Sequence, residues 1–401
     1  MKFGTGFSES WASLWMMSSW CSRARLPKLQ AASVATAISK SSTWMEGSNR
    51  LNFLKMGQFQ LEVADVKKFW DQTTTNGIQS NVLRVLAYHR ISDPTRASML
   101  DPRLISATPE TFERQMACLA SDYHAVSMED VLDAIEGGSR LPDKAVLITF
   151  DDAYVDFASN AWPILKSYRL PVTVFVPTAY PDQPERAFWW DRLYRAFFHT
   201  SKTELAASPI GSLALKTTEA RRNGLRKLQI HMKSLAHHQA MALTDEVCSE
   251  LGIEKTTYKC TLGWEELRQL AREGVTLGAH TQTHPILTQL EPGQIRAEVA
   301  GSQQDLKREI GKVLPVFCYP NGNCNEVVTN ILGEAGFVAA FTMRSGQNDL
   351  SSADHLRLCR TSINKRTSPF IFRLRLLPLF GHIDRWRNRN KSKISSAVSA
   401  A

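Results

Sequence analysis

Lys144-Ala-Val-Leu-Ile-Thr-Phe-Asp-Asp-Ala-Tyr-Val-Asp156 decides how the rest of the chain is read. Residues 145–150 are apolar or β-branched at both odd and even positions, which predicts a strand buried on both faces, as in a parallel sheet. The run stops abruptly at two carboxylates, Asp151 and Asp152. Side chains alternate along a strand, so the two acids point different ways at its C-terminal end. One can then hold a metal while the other handles protons, a division that two like charges need if both are to work at neutral pH. An Asp pair after a strand also serves simply as a helix cap. Which role applies depends on what the rest of the chain brings to the pair.

Outward from this strand the pattern alternates. Residues 82–89 read as a strand ending in His89, and Thr108 with Pro109 opens a helix as N-cap and first helical residue. A short strand over 124–127, a helix over 128–135 closed by Gly137-Gly138, a helical stretch to Tyr168 and an apolar strand over 171–176 follow. Strand and helix at this spacing imply right-handed βαβ crossovers and a parallel sheet or barrel. Chemistry in such folds sits at the C-terminal ends of the strands, where His89, Asp151 and Asp152 fall. Residues 185–262 break the rhythm: they open on the aromatic-rich 188–198, keep helical spacing and hold no clear strand. They read as a helical insertion covering the sheet or the substrate cleft. His231, His237 and His238 within it read as solvated or core histidines. The rhythm resumes with a helix over 264–272, a strand over 275–279, a helix over 292–310 and a strand over 313–319. The turn Pro320-Asn-Gly-Asn323, a helix over 326–335, a strand over 337–342 and a closing segment at 356–363 complete it.

The strand over 275–279 runs into His280-Thr-Gln-Thr-His284-Pro285. Imidazoles at this spacing can share one metal. The zinc-peptidase pattern H-E-x-x-H needs Glu directly after the first His, and here Thr281 stands there. Pro285 and the preceding strand place the pair on a strand-end loop and not within a helix. With Asp152 as third ligand, a facial His2Asp set leaves a position open for water, as a catalytic centre requires.

Between residues 82 and 363 the chain resembles the polysaccharide deacetylases of carbohydrate esterase family 4. The resemblance rests on Thr149-Phe-Asp-Asp-Ala153, His280-Thr-Gln-Thr-His284-Pro and Phe317-Cys-Tyr-Pro-Asn-Gly322, with Tyr88-His-Arg and Leu358-Cys-Arg360 in support. It implies an α/β fold, a distorted and incomplete (β/α) barrel, here carrying the helical insertion. It further implies Asp152, His280 and His284 as ligands of a divalent metal, zinc by expectation, and Asp151 as general base. The main-chain N–H at Asn321 would hold the oxyanion. Three departures stand out. Ala153 replaces the usual Gly. Cys318 occupies the place where many members carry an Arg that braces the catalytic Asp. No clear counterpart exists for the catalytic-acid His, for which His89 is the alternative that the resembling subgroup suggests and His355 a neighbour in sequence. The implied activity is removal of N-acetyl groups from N-acetylhexosamine units of a polysaccharide or glycan precursor. An O-acetyl esterase and a decayed, metal-free carbohydrate-binding protein are the rivals.

Composition is that of an ordinary globular chain: 401 residues, 43% hydrophobic and 22% charged. No apolar run has the length of a membrane span, roughly 18 residues or more. The net charge of +9 is local, because residues 365–393 hold nine Lys/Arg against one Asp, a net of +8. The body is therefore near neutral, and no nucleic-acid partner is expected. Seven scattered cysteines without a C-x-x-C pair point to a reducing compartment. With no signal peptide discerned, the expectation is a cytoplasmic protein whose basic tail can contact an anionic membrane surface. The domain reading is a poorly defined segment at 1–80, the catalytic body at 81–363 and a basic tail at 364–401.

Overall fold

The computed structural model describes residues 81–95, 99–253 and 258–377. Segment 1–80 and most of the basic tail lie outside the described residues. Five parallel neighbours form the body of the sheet: β1 (Val82–Tyr88), β5 (Ala145–Asp151), β6 (Thr173–Val176), β7 (Thr276–Ala279) and β8 (Val316–Cys318). β9 (Ala339–Phe341) extends it in parallel beyond β8. The short β4 (His124–Ala125) pairs with the first two residues of β5, and β6 pairs with the last three. Two further strands, β2 (Arg90–Ile91) and β3 (Ile105–Ala107), pair with each other beside the end of β1.

The sheet curls back on itself through residues 358–362. Leu358 bridges to Phe341 of β9 in parallel, and β11 (Thr361–Ser362) pairs with Leu86 and Ala87 of β1. One short irregular segment thus touches both edges, which is the distorted barrel expected. On the other side β10 (Asn348–Asp349) meets the start of β1 antiparallel.

Both faces of β5 are buried, and its two parities serve different layers. Val146, Ile148 and Phe150 join a core shared with helices α1 (Pro109–Asp122), α3 (Trp162–Ser167), α7 (Trp264–Arg272), α8 (Pro292–Ile310) and α9 (Glu326–Glu334). Ala145 and Leu147 join Leu83, Val85, Phe175, Val316, Phe341 and Leu358 inside the curl, which α2 (Met128–Ile135) plugs with Met128 and Val131. This double burial is why the strand reads as an unbroken apolar run. Asp151 shares the parity of Ala145 and Leu147 and so faces the interior of the curl.

Local signals fix the helix starts. Thr108 accepts from the Thr111 N–H, and Ser127 forms a capping box with Asp130. β8 is shorter than the run over 313–319 predicts because Pro315 has no N–H to donate, so the ladder begins at Val316. The insertion contains α4 (Trp189–His199), α5 (Thr218–Met232) and α6 (His237–Glu250), which share their own core around Leu193, Phe197, Leu225, Leu228 and Val247. It also holds a two-rung hairpin, Glu204–Leu205 with Leu213–Ala214. Its strands are too short to leave an alternating pattern in the sequence.

Packing against the main core continues past residue 363. Ser368 caps a further helix, α10 (Pro369–Leu376), whose Phe372 and Leu376 are buried in the main core. The Leu376 carbonyl accepts from Arg84 Nε at 2.8 Å, and Arg373 pairs with Asp122 of α1 at 2.8 Å. Spacing of four places the two apolar side chains on one face, which the interleaved arginines conceal.

Candidate metal centre and active site

β5 ends at Asp151, and the chain leaves it through two left-handed residues, Asp152 (φ +72°) and Ala153 (φ +47°). This turn swings Asp152 away from Asp151. It also explains why Gly is the natural choice at position 153: an L-residue in that region costs about 1 kcal/mol. Asp152 Oδ1 lies 3.6 Å from His280 Nε2 and 3.2 Å from His284 Nε2. His280 follows β7, and its Nδ1 lies 2.6 Å from the Cys318 carbonyl. Only a protonated Nδ1 can donate there, so Nε2 is the ring nitrogen turned to Asp152.

The loop to His284 is held from α8. Glu298 accepts from the N–H groups of Gln282 and Thr283 at 2.8 and 2.9 Å and from the Thr283 hydroxyl at 2.6 Å. Asp305 accepts from Thr178 and from the Gln282 amide. Thr281 and His284 both have positive φ, and the His284 N–H donates to Thr281 Oγ1 at 3.0 Å.

These three side chains fit a divalent cation. Their donor atoms lie within 4.8 Å of one another, and Asp152 Oδ1 is buried without a hydrogen-bond donor. A buried carboxylate oxygen left in that state is costly unless a cation completes it. Burial opposes ionisation of Asp152, but His284 and His280 hold its carboxyl well below the usual range. Burial pushes His284 down, toward the neutral imidazole that ligates metals.

Asp151 is treated differently. Arg360 grips it in a bidentate fork, Nη1 to Oδ1 at 2.8 Å and Nη2 to Oδ2 at 2.7 Å, with Arg360 fully buried and Asp151 nearly so. Burial pushes the Asp151 carboxyl up, and Arg360 outweighs it, holding the pKa at about 2. Arg360 is placed by the segment that closes the curl; its Nε donates to the Thr342 carbonyl at 2.9 Å. The brace absent from position 318 is therefore supplied from position 360, a residue whose motif is visible in the sequence but whose partner is not. Cys318 Sγ packs 3.6 Å from both Asp151 oxygens. Asp151, His280 and Cys318 also cluster closely enough to ligate. With both Asp151 oxygens held by Arg360 and the thiol pKa pushed up by burial, this second group is unsuited to a cation.

Arg360→Ala is expected to cost about 3–5 kcal/mol, because it strands a buried carboxylate. The pH dependence should change sign. In the wild type the depressed Asp151 contributes stability that is full above the unfolded carboxyl value, near 4, and is lost as pH falls through about 2. With its main opponent gone, burial is expected to outweigh the weaker pull of His280 and His89 and to lift the folded value above the unfolded one, so the deficit narrows on acidification from pH 7 toward 4. Urea unfolding of both proteins across that range checks it; a constant gap would mean that Arg360 does not set the Asp151 charge.

Of the two candidate acids, His89 follows β1 and is near enough to act electrostatically on both Asp151 and Asp152. Its main-chain N–H donates to Ser106 Oγ at 2.9 Å, and the residue is half-buried. His355 sits in the turn His355–Arg357, with Nε2 2.9 Å from the Leu350 carbonyl. Asn321 lies in the turn after β8 with φ +57°. Gly322 beside it has φ +74°, and a Cβ there would collide with the Met343 backbone.

The insertion supplies one wall. Trp190 and Phe188 meet the His284 ring edge-on at 4.9 and 5.7 Å. Trp190 Nε1 donates to the Tyr154 hydroxyl at 2.9 Å, which donates to buried Asp191 at 2.9 Å. Burial pushes the Asp191 carboxyl up to about 6 despite nearby Arg90. The sequence signals the aromatic cluster; the pairing across to Tyr154 depends on the insertion's docking.

The polysaccharide deacetylase family model matches residues 138–340, and the chain belongs to that family. A poly-beta-1,6-N-acetyl-D-glucosamine N-deacetylase of Escherichia coli K12 is similar, 24% identical over 276 residues, covering 68% of this chain and 35% of that protein. The chain thus spans about a third of that relative's length. Among solved structures, the Streptococcus pyogenes deacetylase PplD in complex with acetate superposes with a TM-score of 0.51 at 19% identity, covering 74% of this chain and 99% of that one. A de-N-acetylase from Aggregatibacter actinomycetemcomitans gives 0.50 at 19% identity, with coverage of 73% and 99%. At these identities the structural likeness establishes the fold.

Proposed function

We propose that the protein is a metal-dependent hydrolase that removes acetyl groups from N-acetylhexosamine units of a glycan. The observation that carries this reading is the Asp152, His280 and His284 set beside an Asp151 braced separately by Arg360. The acetylglucosamine polymer named for the Escherichia coli relative supports the substrate class. Zinc suits two imidazoles and a carboxylate, and when bound it supplies Lewis-acid polarisation of the amide carbonyl and a water acidified to near neutrality.

The chain's own residues do the rest. Asp151, ionised at neutral pH, accepts a proton from the attacking water at a carboxylate oxygen. The Arg360 brace lowers its basicity and in return fixes its position and charge. The N–H at Asn321 donates to the oxygen that becomes negative as the carbonyl turns tetrahedral. His89 gives a proton to the nitrogen that leaves as the amine. Trp190 and Phe188 screen the centre from water on the insertion side.

His89→Ala is expected to lower acetate release from an N-acetylated oligosaccharide about 100-fold, within the usual range for an acid catalyst, and His355→Ala to leave it near the wild-type rate. An ester's alcohol needs less help in leaving than an amine, so the His89 variant should lose less on an O-acetylated substrate. Initial rates on matched N- and O-acetyl substrates decide this. A large loss in His355→Ala with none in His89→Ala would move the acid to His355.

A further inference from the structure

Lys233 follows α5, on the insertion, and touches both loops of the site. Gln289, in the turn Leu287–Gln289 beyond the His284 loop, donates its amide to the Lys233 carbonyl. Lys233 Nζ donates to Asn321 Oδ1 at 2.6 Å, and Asn321 Nδ2 donates to Asn323 Oδ1. Both side chains are exposed, and among the described residues Lys233 forms no ion pair, so the Asn321 amide is the protein partner of its ammonium.

Asn321 and Gly322 are successive left-handed residues, a conformation that an Asn-Gly pair adopts readily, and the Gly322 N–H closes the turn on the Tyr319 carbonyl at 2.8 Å. The side-chain bonds of Asn321 add a restraint from outside the turn. A charge-assisted bond at 2.6 Å holds one end of its amide and the Asn323 carbonyl oxygen holds the other.

We propose that Lys233 is a positioning residue, through which the helical insertion sets the direction of the main-chain N–H at Asn321. The inference rests on the deacetylase reading, which gives that N–H its task. The insertion is thereby part of the active site as well as its cover. Lys233 links the oxyanion turn to the turn Leu287–Gln289 that follows the His284 loop.

The test uses the full-length, metal-loaded protein and the variants Lys233→Ala, Lys233→Arg, Asn321→Ala and the Lys233→Ala/Asn321→Ala double. Deleting one oxyanion donor costs about 10²–10³ in kcat, so misaligning one is expected to cost about 10-fold. Lys233→Ala should lower kcat on an N-acetylhexosamine oligosaccharide by that factor, with KM and metal content unchanged. Lys233→Arg should recover part of it. Asn321→Ala should lose a similar factor and the double variant no more than either single, because both act through one hydrogen bond. Hydrogen exchange should quicken at the amides of residues 321–323 in Lys233→Ala.

A wild-type kcat in Lys233→Ala, a change confined to KM, or losses that multiply in the double variant would overturn the inference. Should the wild type release no acetate, the deacetylase reading fails by itself, and exchange decides the clamp separately. Unchanged exchange then overturns it, and faster exchange upholds it.

Discussion

His280→Ala and His284→Ala should each lose bound metal and turnover together. Both imidazoles face the same Asp152 oxygen, at 3.6 and 3.2 Å, and removing either leaves two ligands where a catalytic centre needs three. A metal held there would contribute several kcal/mol to the reaction, so the loss in kcat/KM should be about 10³-fold or more. The two variants should differ in one respect. His280 is the more buried and is anchored to the Cys318 carbonyl, so its truncation also frees a buried acceptor and should lower Tm further than truncation of His284. Metal analysis of the purified variants, paired with acetate release, checks both points. Full metal content and turnover in both would remove these residues from the centre.

Asp151→Asn should keep the metal and lose most of the rate, about 10²–10⁴-fold, because a neutral amide cannot accept the proton. The substitution also leaves Arg360 charged and buried beside an amide, at a cost of about 3–5 kcal/mol. Rate and stability therefore fall together, and a loss of activity alone is ambiguous. Adding Arg360→Met to Asp151→Asn removes the stranded charge. The double variant should regain much of the lost stability and none of the rate. Recovery of the rate along with stability would assign Asp151 a structural role only.

The parts legible in the sequence are those that local chemistry dictates. The unbroken apolar run before Asp151 reports burial on two faces, and the abrupt change to two carboxylates reports the strand's end. His280 and His284 are legible through their spacing and through Pro285, which rules out a helix. Thr108 marks a helix start by the bond its hydroxyl accepts. Arg360 could not be read in this way, because its partner lies 209 positions away and the two meet only through the curl of the sheet. The segment that carries it has no strand periodicity, since it touches one sheet edge at Leu358 and the other at Thr361. α10 was hidden by composition: Arg373 and Arg375 give the stretch the look of a basic tail, while Phe372 and Leu376 lie on one buried face. The Lys233 and Asn321 contact was illegible for a third reason. It depends on how a helical insertion with its own core sits over the site, and no local preference encodes that.

Mass spectrometry of N-acetylhexosamine oligosaccharides incubated with the purified protein tests the central claim most directly. Three preparations are compared: the protein as isolated, the protein stripped with a chelator, and the stripped protein reloaded with zinc. Successive losses of one acetyl mass per sugar are expected with the first and third, and none with the second. An unchanged mass with the zinc-loaded protein across oligosaccharides of differing linkage, or equal acetyl loss with the stripped protein, would contradict it.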